Sequence, residues 1–518
     1  MIKAQFLTFA CLLFLTFTTL AQGTGPVKTK AGLVAGTTNR ERDVAIYKGI
    51  PFAAPPVGEL RWKAPQPVAP WAGVRECVAF GPSPMQNEPA PFSMWSEEFL
   101  IPKEPISEDC LYLNVWTGAK SPKEKRPVIV WIYGGGFNSG GSAVPIYDGE
   151  AMAKKGIVFV SINYRVGVFG FFAHPELTKE SPHGASGNYG LQDQIAALQW
   201  VKENIAAFGG DPANVIIAGQ SAGSMSVNAL VASPLAKGLF QKAIAQSGAS
   251  FSRGSVTLPE AEQQGVKLVQ ALGASFMEEL RKAPAAVLQQ KGQGMMYRPV
   301  VDGYVLPAQI ADIFTSGKAN KVALLTGWNE DEGLLFGPLK SAADFRKEAE
   351  QQYGTDAKTF LSYYPAADDA QAAASQLKLS RDMIFGVQNY TWANMQSQRG
   401  KPEVYVYRFT RKVPATGEYV KYGAFHTGEV PYAYNNLKFV NRPWEPTDHQ
   451  LAQVMSSYWV NFARTGNPNG KGLPDWPAYT MQEKKIMDFG VKQEAKTLPD
   501  QAALDFIYDQ HVKKQANP

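Results

Sequence analysis

Cysteine and histidine are scarce in this chain, at three and five of 518 residues. No two cysteines form a C-x-x-C pair and the histidines do not cluster, so the sequence offers no zinc site. Excess charge is scarce too. Lysine and arginine total 51 against 46 aspartates and glutamates, a formal net charge of +5, with no basic cluster. Nothing in that balance calls for nucleic acid as a partner. Internal repeats, low-complexity linkers and long charge runs are missing as well. Beyond the first two dozen residues no apolar run approaches the length of a bilayer span, so stable membrane insertion is not expected. What is present, 45% hydrophobic and 19% charged residues, suits a folded globular protein and not a disordered one. Length alone would suggest about three domains, but large α/β enzymes often form a single unit.

The chain opens with "MIKAQFLTFACLLFLTFTTLAQG". Lys3 supplies a positive start, Phe6 to Leu15 an apolar core, and Thr19-Leu20-Ala21 a small-residue cleavage site. This pattern predicts a secretory signal peptide over residues 1–21, cut after Ala21, and an exported protein, periplasmic or secreted. Thr16, Thr18 and Thr19 interrupt the apolar run, which argues against a retained anchor. Few apolar residues precede Cys11, which argues against lipidation there. Cys77 and Cys110 then remain, and in an oxidising compartment an even pair predicts one disulfide. "NYT" at Asn389 is a glycosylation sequon.

Along the rest of the chain, strand patterns alternate with helix patterns. "RPVIVWIY" (Arg126 to Tyr133), "GIVFVSINY" (Gly156 to Tyr164), "NVIIAG" (Asn214 to Gly219), "KVALLTG" (Lys321 to Gly327) and "EVYVYRF" (Glu403 to Phe409) are short and rich in Val, Ile and Tyr. Runs apolar on both faces predict strands covered by helices on each side. Leu191, Ile195, Leu198, Val201 and Ile205 form one helical stripe. Leu451, Val454, Met455, Tyr458 and Phe462 form another, between a Thr447/Asp448 cap and a stop at Gly466. The expected fold class is therefore α/β, with a large, mostly parallel sheet. Residues 341–399 read as a helical insertion on that sheet.

"VIIAGQSAGSMS" (Val215 to Ser226) contains a G-x-S-x-G between a strand pattern and a helix pattern. That context is the one a nucleophile elbow requires: a tight turn raises one serine hydroxyl above the sheet edge, and flanking side chains would clash. Ser221 is the candidate nucleophile. A serine hydroxyl needs a base to take its proton. With the order Ser, acid, His, the candidates are His426, His449 and His511. His511 lies in a polar tail, and His449 in the first turn of a helix, where a forming imidazolium would face the positive dipole end. His426, on a Gly-punctuated loop, is the better base. "GWNEDEGLLF" offers Glu330, Asp331 and Glu332 as the supporting acid, and chemistry alone does not choose among them. Gly134, Gly135 and Gly136 in "WIYGGGFNSGG", together with the amide of Ala222, can present bare N–H groups to a developing oxyanion. A nucleotide loop is the rival reading of these glycines. No GK[ST] accompanies them, and no acidic residue ends the next strand.

At this point the chain resembles the type-B carboxylesterase/cholinesterase family of α/β-hydrolases, from about Lys28 to Tyr508. "YKGIPFAAPPVGELRW", "SEDCLYLNVW", "VIVWIYGGGF", "GNYGLQDQIAALQWVKENIAAFGGDP", "GQSAG", "DEG", "FHTGE", "FARTGNPN" and "WPAY" carry the resemblance. It implies one α/β-hydrolase domain over residues 22–518. It implies Ser221 as nucleophile, Glu332 as acid, His426 as base, and Gly135, Gly136 and Ala222 as oxyanion donors. It also implies a Cys77–Cys110 disulfide, a structural Arg61–Glu108 ion pair, and no cofactor or metal. Gln220 stands where many family members carry Glu, which removes a negative charge beside the serine and turns the expectation from cationic choline esters to neutral ones. Met94, Trp95 and Phe99 either pack beneath the loop between the cysteines or line a pocket mouth. The expected activity is hydrolysis of a small-molecule carboxylic ester through an acyl-enzyme. The rivals are a catalytically silent adhesion protein on the same fold and an amide or thioester hydrolase using the same site. The oligomeric state is not legible.

Overall fold

The computed structural model describes residues 25–251, 255–273, 277–334, 337–398 and 401–513. The signal segment and Cys11 lie outside the described residues. The centre is an 11-stranded sheet. In chain order its strands are β1 (Thr37–Thr38), β2 (Ala45–Pro51), β3 (Tyr112–Thr117), β4 (Arg126–Ile132), β5 (Val158–Ile162), β6 (Gly210–Gln220), β7 (Lys242–Gln246), β8 (Ala323–Asn329), β9 (Val404–Phe409), β10 (Lys485–Phe489) and β11 (Gln493–Thr497). Their spatial order is β11-β10-β9-β8-β7-β6-β4-β5-β3-β2-β1. Neighbours from β5 through β10 pair in parallel. Antiparallel pairs form both margins.

All five predicted strands are present. Val128, Val130, Ile216, Ile217, Leu324 and Leu325 are completely buried, as strands covered on both faces require. Each such side chain contributes ~1.5–3 kcal/mol by leaving water. β6 starts earlier than its apolar run, because Gly210 pairs with Arg126 before the register shifts at Val215.

The covering helices bear out the helical stripes. Helix α1 (Tyr189–Asn204) buries Leu191, Ile195, Leu198 and Val201, and also Asp193, Gln194 and Trp200 on its other sides. Helix α2 (Ala222–Ala232) follows Ser221 directly. In the 341–399 region, helix α3 (Val387–Ser397) is buried along most of its length and packs on β8 and β9. Asn389 is therefore inside: its amide donates to Thr326 Oγ1 at 2.7 Å, and its oxygen accepts from Gly248 N–H at 2.9 Å. The sequon is closed in the folded chain. Helix α4 (Pro446–Thr465) ends at Gly466, as expected, in the left-handed conformation. Its cap is Glu445, not Thr447 or Asp448. The Asp448 carboxylate bonds back to the Glu445 N–H as the other half of a capping box.

The expected disulfide is not formed. Cys77 and Cys110 are both buried free thiols. The Cys77 carbonyl accepts from Lys48 N–H, while Leu111, next to Cys110, accepts from Phe52 N–H. Cys110 instead lines a small internal space with Pro84 and Met85. Burial pushes the Cys77 thiol up to about 11 and the Cys110 thiol well above its ordinary value, which leaves both unreactive. Arg61 and Glu108 do pair, at 2.7 Å and 2.5 Å. Arg61 also donates to the carbonyls of Leu280, Arg281 and Ala283, so the pair pins a distant loop.

Candidate active site

Where β6 ends, the backbone turns sharply. Ser221 has φ 58° and ψ −125°, a conformation that non-glycine residues adopt at a cost of about 1–3 kcal/mol. Close packing holds it there. A Cβ on Gly219 would lie 2.5 Å from Gly223, and one on Gly223 would lie 2.1 Å from the Ile132 carbonyl oxygen. The strand therefore meets α2 only with glycine at both places. The Ser221 N–H donates to the Gln246 carbonyl at 2.9 Å, and its carbonyl accepts from Met225 N–H at 2.9 Å. Its hydroxyl does not cap the helix; it faces a cavity of about 890 Å³.

The glycine loop after β4 borders the same cavity. It folds back on itself: Asn138 and Ser139 both donate to the Gly135 carbonyl, at 3.0 Å and 3.1 Å. Gly135, at φ +110°, has Ser139 O only 2.2 Å from where a Cβ would sit. Among the described residues, the N–H groups of Gly135 and Gly136 make no backbone hydrogen bond. Gln86, which sequence reasoning missed, closes the loop. Its side-chain amide donates to the Gly140 carbonyl and accepts from the Gly140 N–H, both at 2.8 Å.

His426 enters from the loop after β9. Its Nδ1 lies 2.9 Å from Glu332 Oε2, so Nδ1 carries the proton and Nε2 keeps a lone pair. Glu332 Oε1 accepts from Asn329 N–H at 2.8 Å, and both Glu332 and His426 are buried. The three candidate acids take three different places. Glu330 pairs with Arg381 and Arg408. Asp331 accepts from Ala424 N–H at 2.8 Å and so ties down the loop that carries His426. Only Glu332 meets the imidazole. His449 is exposed on α4, and His511 contacts the Tyr353 hydroxyl at 3.1 Å.

Ser221 and His426 line one cavity without a hydrogen bond between them. Such bonds are often long before substrate arrives. The side chain of Gln220 lies between strand and imidazole: its Nε2 is 3.1 Å from His426 Nε2 and 3.4 Å from Nδ1. Phe385 stacks on the imidazole at 4.4 Å, with 19° between the planes. The Trp95 indole stands edge-on to the imidazole at 6.2 Å and donates to Thr427 Oγ1 at 3.1 Å. Trp95 and Phe99 line the cavity, whereas Met94 is buried in the core.

A second buried acid was not foreseen. Glu429, three residues past His426 in "FHTGE", is completely buried. It accepts from Asn329 Nδ2 at 2.6 Å and Gln246 Nε2 at 3.1 Å. Burial, and next the charge of Glu332, push its carboxyl up to about 7. A glutamate so close to the base was the only signal the sequence carried.

A mixed, mostly parallel sheet with a serine at a strained strand-to-helix corner, bare amides beside it and a carboxylate-bound imidazole in the same cavity defines an α/β-hydrolase. The chain belongs to the carboxylesterase family, whose model matches residues 24–507, and it is a carboxylesterase. It is 39% identical over 481 residues to fumonisin B1 esterase of Sphingopyxis macrogoltabida, covering 89% of this chain and 86% of the relative. It is 37% identical over 485 residues to para-nitrobenzyl esterase of Bacillus subtilis, covering 89% and 94%. Among solved structures, a PNB esterase superposes with a TM-score of 0.80 at 33% identity, covering 93% of this chain and 98% of that one. A thermophilic PNB esterase gives 0.79 at 34% identity, covering 93% and 99%.

Proposed function

We propose that the protein hydrolyses neutral small or medium carboxylic esters in two steps, through an acyl-enzyme on Ser221. His426 Nε2 takes the Ser221 proton as Oγ attacks the ester carbonyl. The carbonyl π electrons move onto oxygen, where the amides of Gly135, Gly136 and Ala222 stabilise the charge. The C–O bond to the alcohol then breaks, and the imidazolium protonates the departing alkoxide. Water enters, gives its proton to His426, attacks the acyl carbon and releases the acid while Ser221 recovers its proton. Glu332 holds the imidazole tautomer and offsets the imidazolium charge. The observation that carries the reading is the 2.9 Å Glu332–His426 contact beside the Ser221 corner.

The cavity lining supports neutral substrates. It includes Phe92, Trp95, Phe99, Tyr147, Leu334 and Met296, and among the described residues Glu88 is its one carboxylate and no lysine or arginine lines it. A charged acyl or alcohol group would lose water there without a partner of opposite sign. The name of the B. subtilis relative supplies a first ester to try. A fluorophosphonate probe should label the wild type and leave Ser221→Ala unlabelled; equal labelling would end the proposal, and with it the reading of an active enzyme over a silent adhesion protein. Matched ester, thioester and amide substrates then test bond preference, with the ester expected to turn over fastest.

We also propose export, with cleavage after Ala21. The reading rests on the charged start at Lys3, the apolar stretch from Phe6 to Leu15 and the small residues before Gln22. An N-terminal mass spectrum of the exported protein beginning at Gln22 is the expected result, and a retained Met1 would refute it.

A further inference from the structure

We propose that Gln220 and Phe385 form a two-sided clamp on the His426 ring, with Gln220 as a positioning residue that sets both its orientation and the charge beside it. The inference rests on His426 being the base. Gln220 is buried at the end of β6, its backbone in register with Gln246 of β7. The near-equal distances of its amide nitrogen to the two ring nitrogens, 3.1 Å and 3.4 Å, fix where it sits. An amide bonded in the ring plane to one nitrogen would lie far from the other, and one equidistant in the plane would collide with Cε1. The amide therefore lies over the ring face. Phe385 covers a face as well, nearly parallel to the imidazole at a centroid distance of 4.4 Å. Two groups this close cannot share one face, so they occupy opposite faces. Glu332 fixes the ring in its own plane through Nδ1. Rotation about the Cβ–Cγ bond is then blocked from three directions, while the Nε2 edge stays open toward the cavity that Ser221 faces.

The clamp joins two distant parts of the chain. Gln220 is held by the sheet, and Phe385 arrives from the π-helical turn Asp382–Gly386 that leads into α3. The segment between β8 and β9 thereby completes the support of the base. Chemically, the clamp adds no net charge. Among the described residues, the carboxylates that act on the imidazole are Glu332 and Glu429. A carboxylate in place of the Gln220 amide would add a further negative charge against the ring and stabilise the imidazolium.

The test uses the mature protein and para-nitrophenyl butyrate, with kcat and KM followed from about pH 5 to pH 9. Gln220→Glu should move the acidic limb of kcat/KM to higher pH by about 1–3 units, the effect of an opposite charge within contact distance. Gln220→Met keeps the bulk but loses the N–H. It should lower kcat by about tenfold to a hundredfold, as small misplacements of a reacting group do, with KM and the melting midpoint close to wild type. Phe385→Leu should lower kcat in the same way. An acidic limb of Gln220→Glu that superposes on the wild type, or wild-type kcat in Gln220→Met, overturns the clamp. If Gln220→Glu does not fold, Gln220→Met decides alone. His426→Ala separates the two ideas: its inactivity with unshifted Gln220 variants sinks only the clamp, whereas its full activity sinks the base assignment itself.

Discussion

Two large cavities among the described residues handle their polar groups in opposite ways. One, of about 690 Å³, is lined by Phe314, Tyr390, Asn394, Lys484 and Asp505 among others. Its polar groups are bonded to one another: Lys484 Nζ meets both Asp505 oxygens at 3.1 Å and 2.9 Å, the Tyr390 hydroxyl donates to the same carboxylate, and Asn394 accepts from the Tyr479 hydroxyl at 2.8 Å. The other cavity, about 890 Å³, holds the Ser221 hydroxyl and the Gly135 and Gly136 loop. There the hydroxyl and amides face open space, while the groups behind them are anchored: Glu332 accepts from Asn329 N–H, Asn329 Nδ2 donates to the Phe425 carbonyl, and Asp331 accepts from Ala424 N–H. A void alone says little. Chemistry needs donors and nucleophiles left unsatisfied at the front and fixed from behind.

Substitutions can break that contrast. Ser221→Ala and His426→Ala should each lower kcat by ~10⁴–10⁶ without unfolding the chain, whereas Lys484→Met in the other cavity should leave kcat within a factor of about two and cost about 1 kcal/mol of stability. Steady-state kinetics and urea melts of the three variants check this. A large kcat loss in Lys484→Met would erase the distinction between the cavities.

Glu332→Gln should lower kcat about 10³–10⁴-fold by weakening the tautomer and the imidazolium together. Asp331→Asn, one residue away, should change kcat less than about tenfold and act through the loop it anchors. Reversal of that order in a kinetic comparison would reassign the acid.

Glu429 sharpens the contrast through pH. Its folded carboxyl titrates at about 7, above the ordinary glutamate range, so between those values the folded state holds a proton that the unfolded chain has released. Its contribution to stability is intact at acidic pH and lost as pH rises toward 7, by about 3 kcal/mol. Glu429→Gln should flatten the stability curve between about pH 5 and pH 8. An unchanged slope in urea titrations would show that Glu429 is ionised throughout. The smallest effect concerns the cysteines: two thiols per mature chain should react with a thiol reagent after denaturation without reductant, and reductant should leave the melting midpoint in place. Zero reactive thiols would mean that the pair is bridged after all.

The elbow, the glycine loop and the alternating elements were legible because each is local. Gly219 and Gly223 sit within four residues of one another, and the strands announce themselves by continuous Val and Ile. The expected disulfide is the opposite case: Cys77 and Cys110 are distant in the chain, and packing, not their number, decides where each buried thiol lies. Gln86 and Glu429 carried no local signal, since a glutamine or a glutamate acquires its role from the backbone it meets.

The order of residues alone determined the sheet, its helices, the corner at Ser221 and a histidine suited to serve as base, because sterics and hydrophobic periodicity act over a few neighbouring residues. Only the tertiary structure decided which acid among Glu330, Asp331 and Glu332 meets His426, what lies on either face of that ring, and that Cys77 and Cys110 stay apart. Those outcomes depend on distances between strands far apart in the chain, which packing sets and no short stretch encodes.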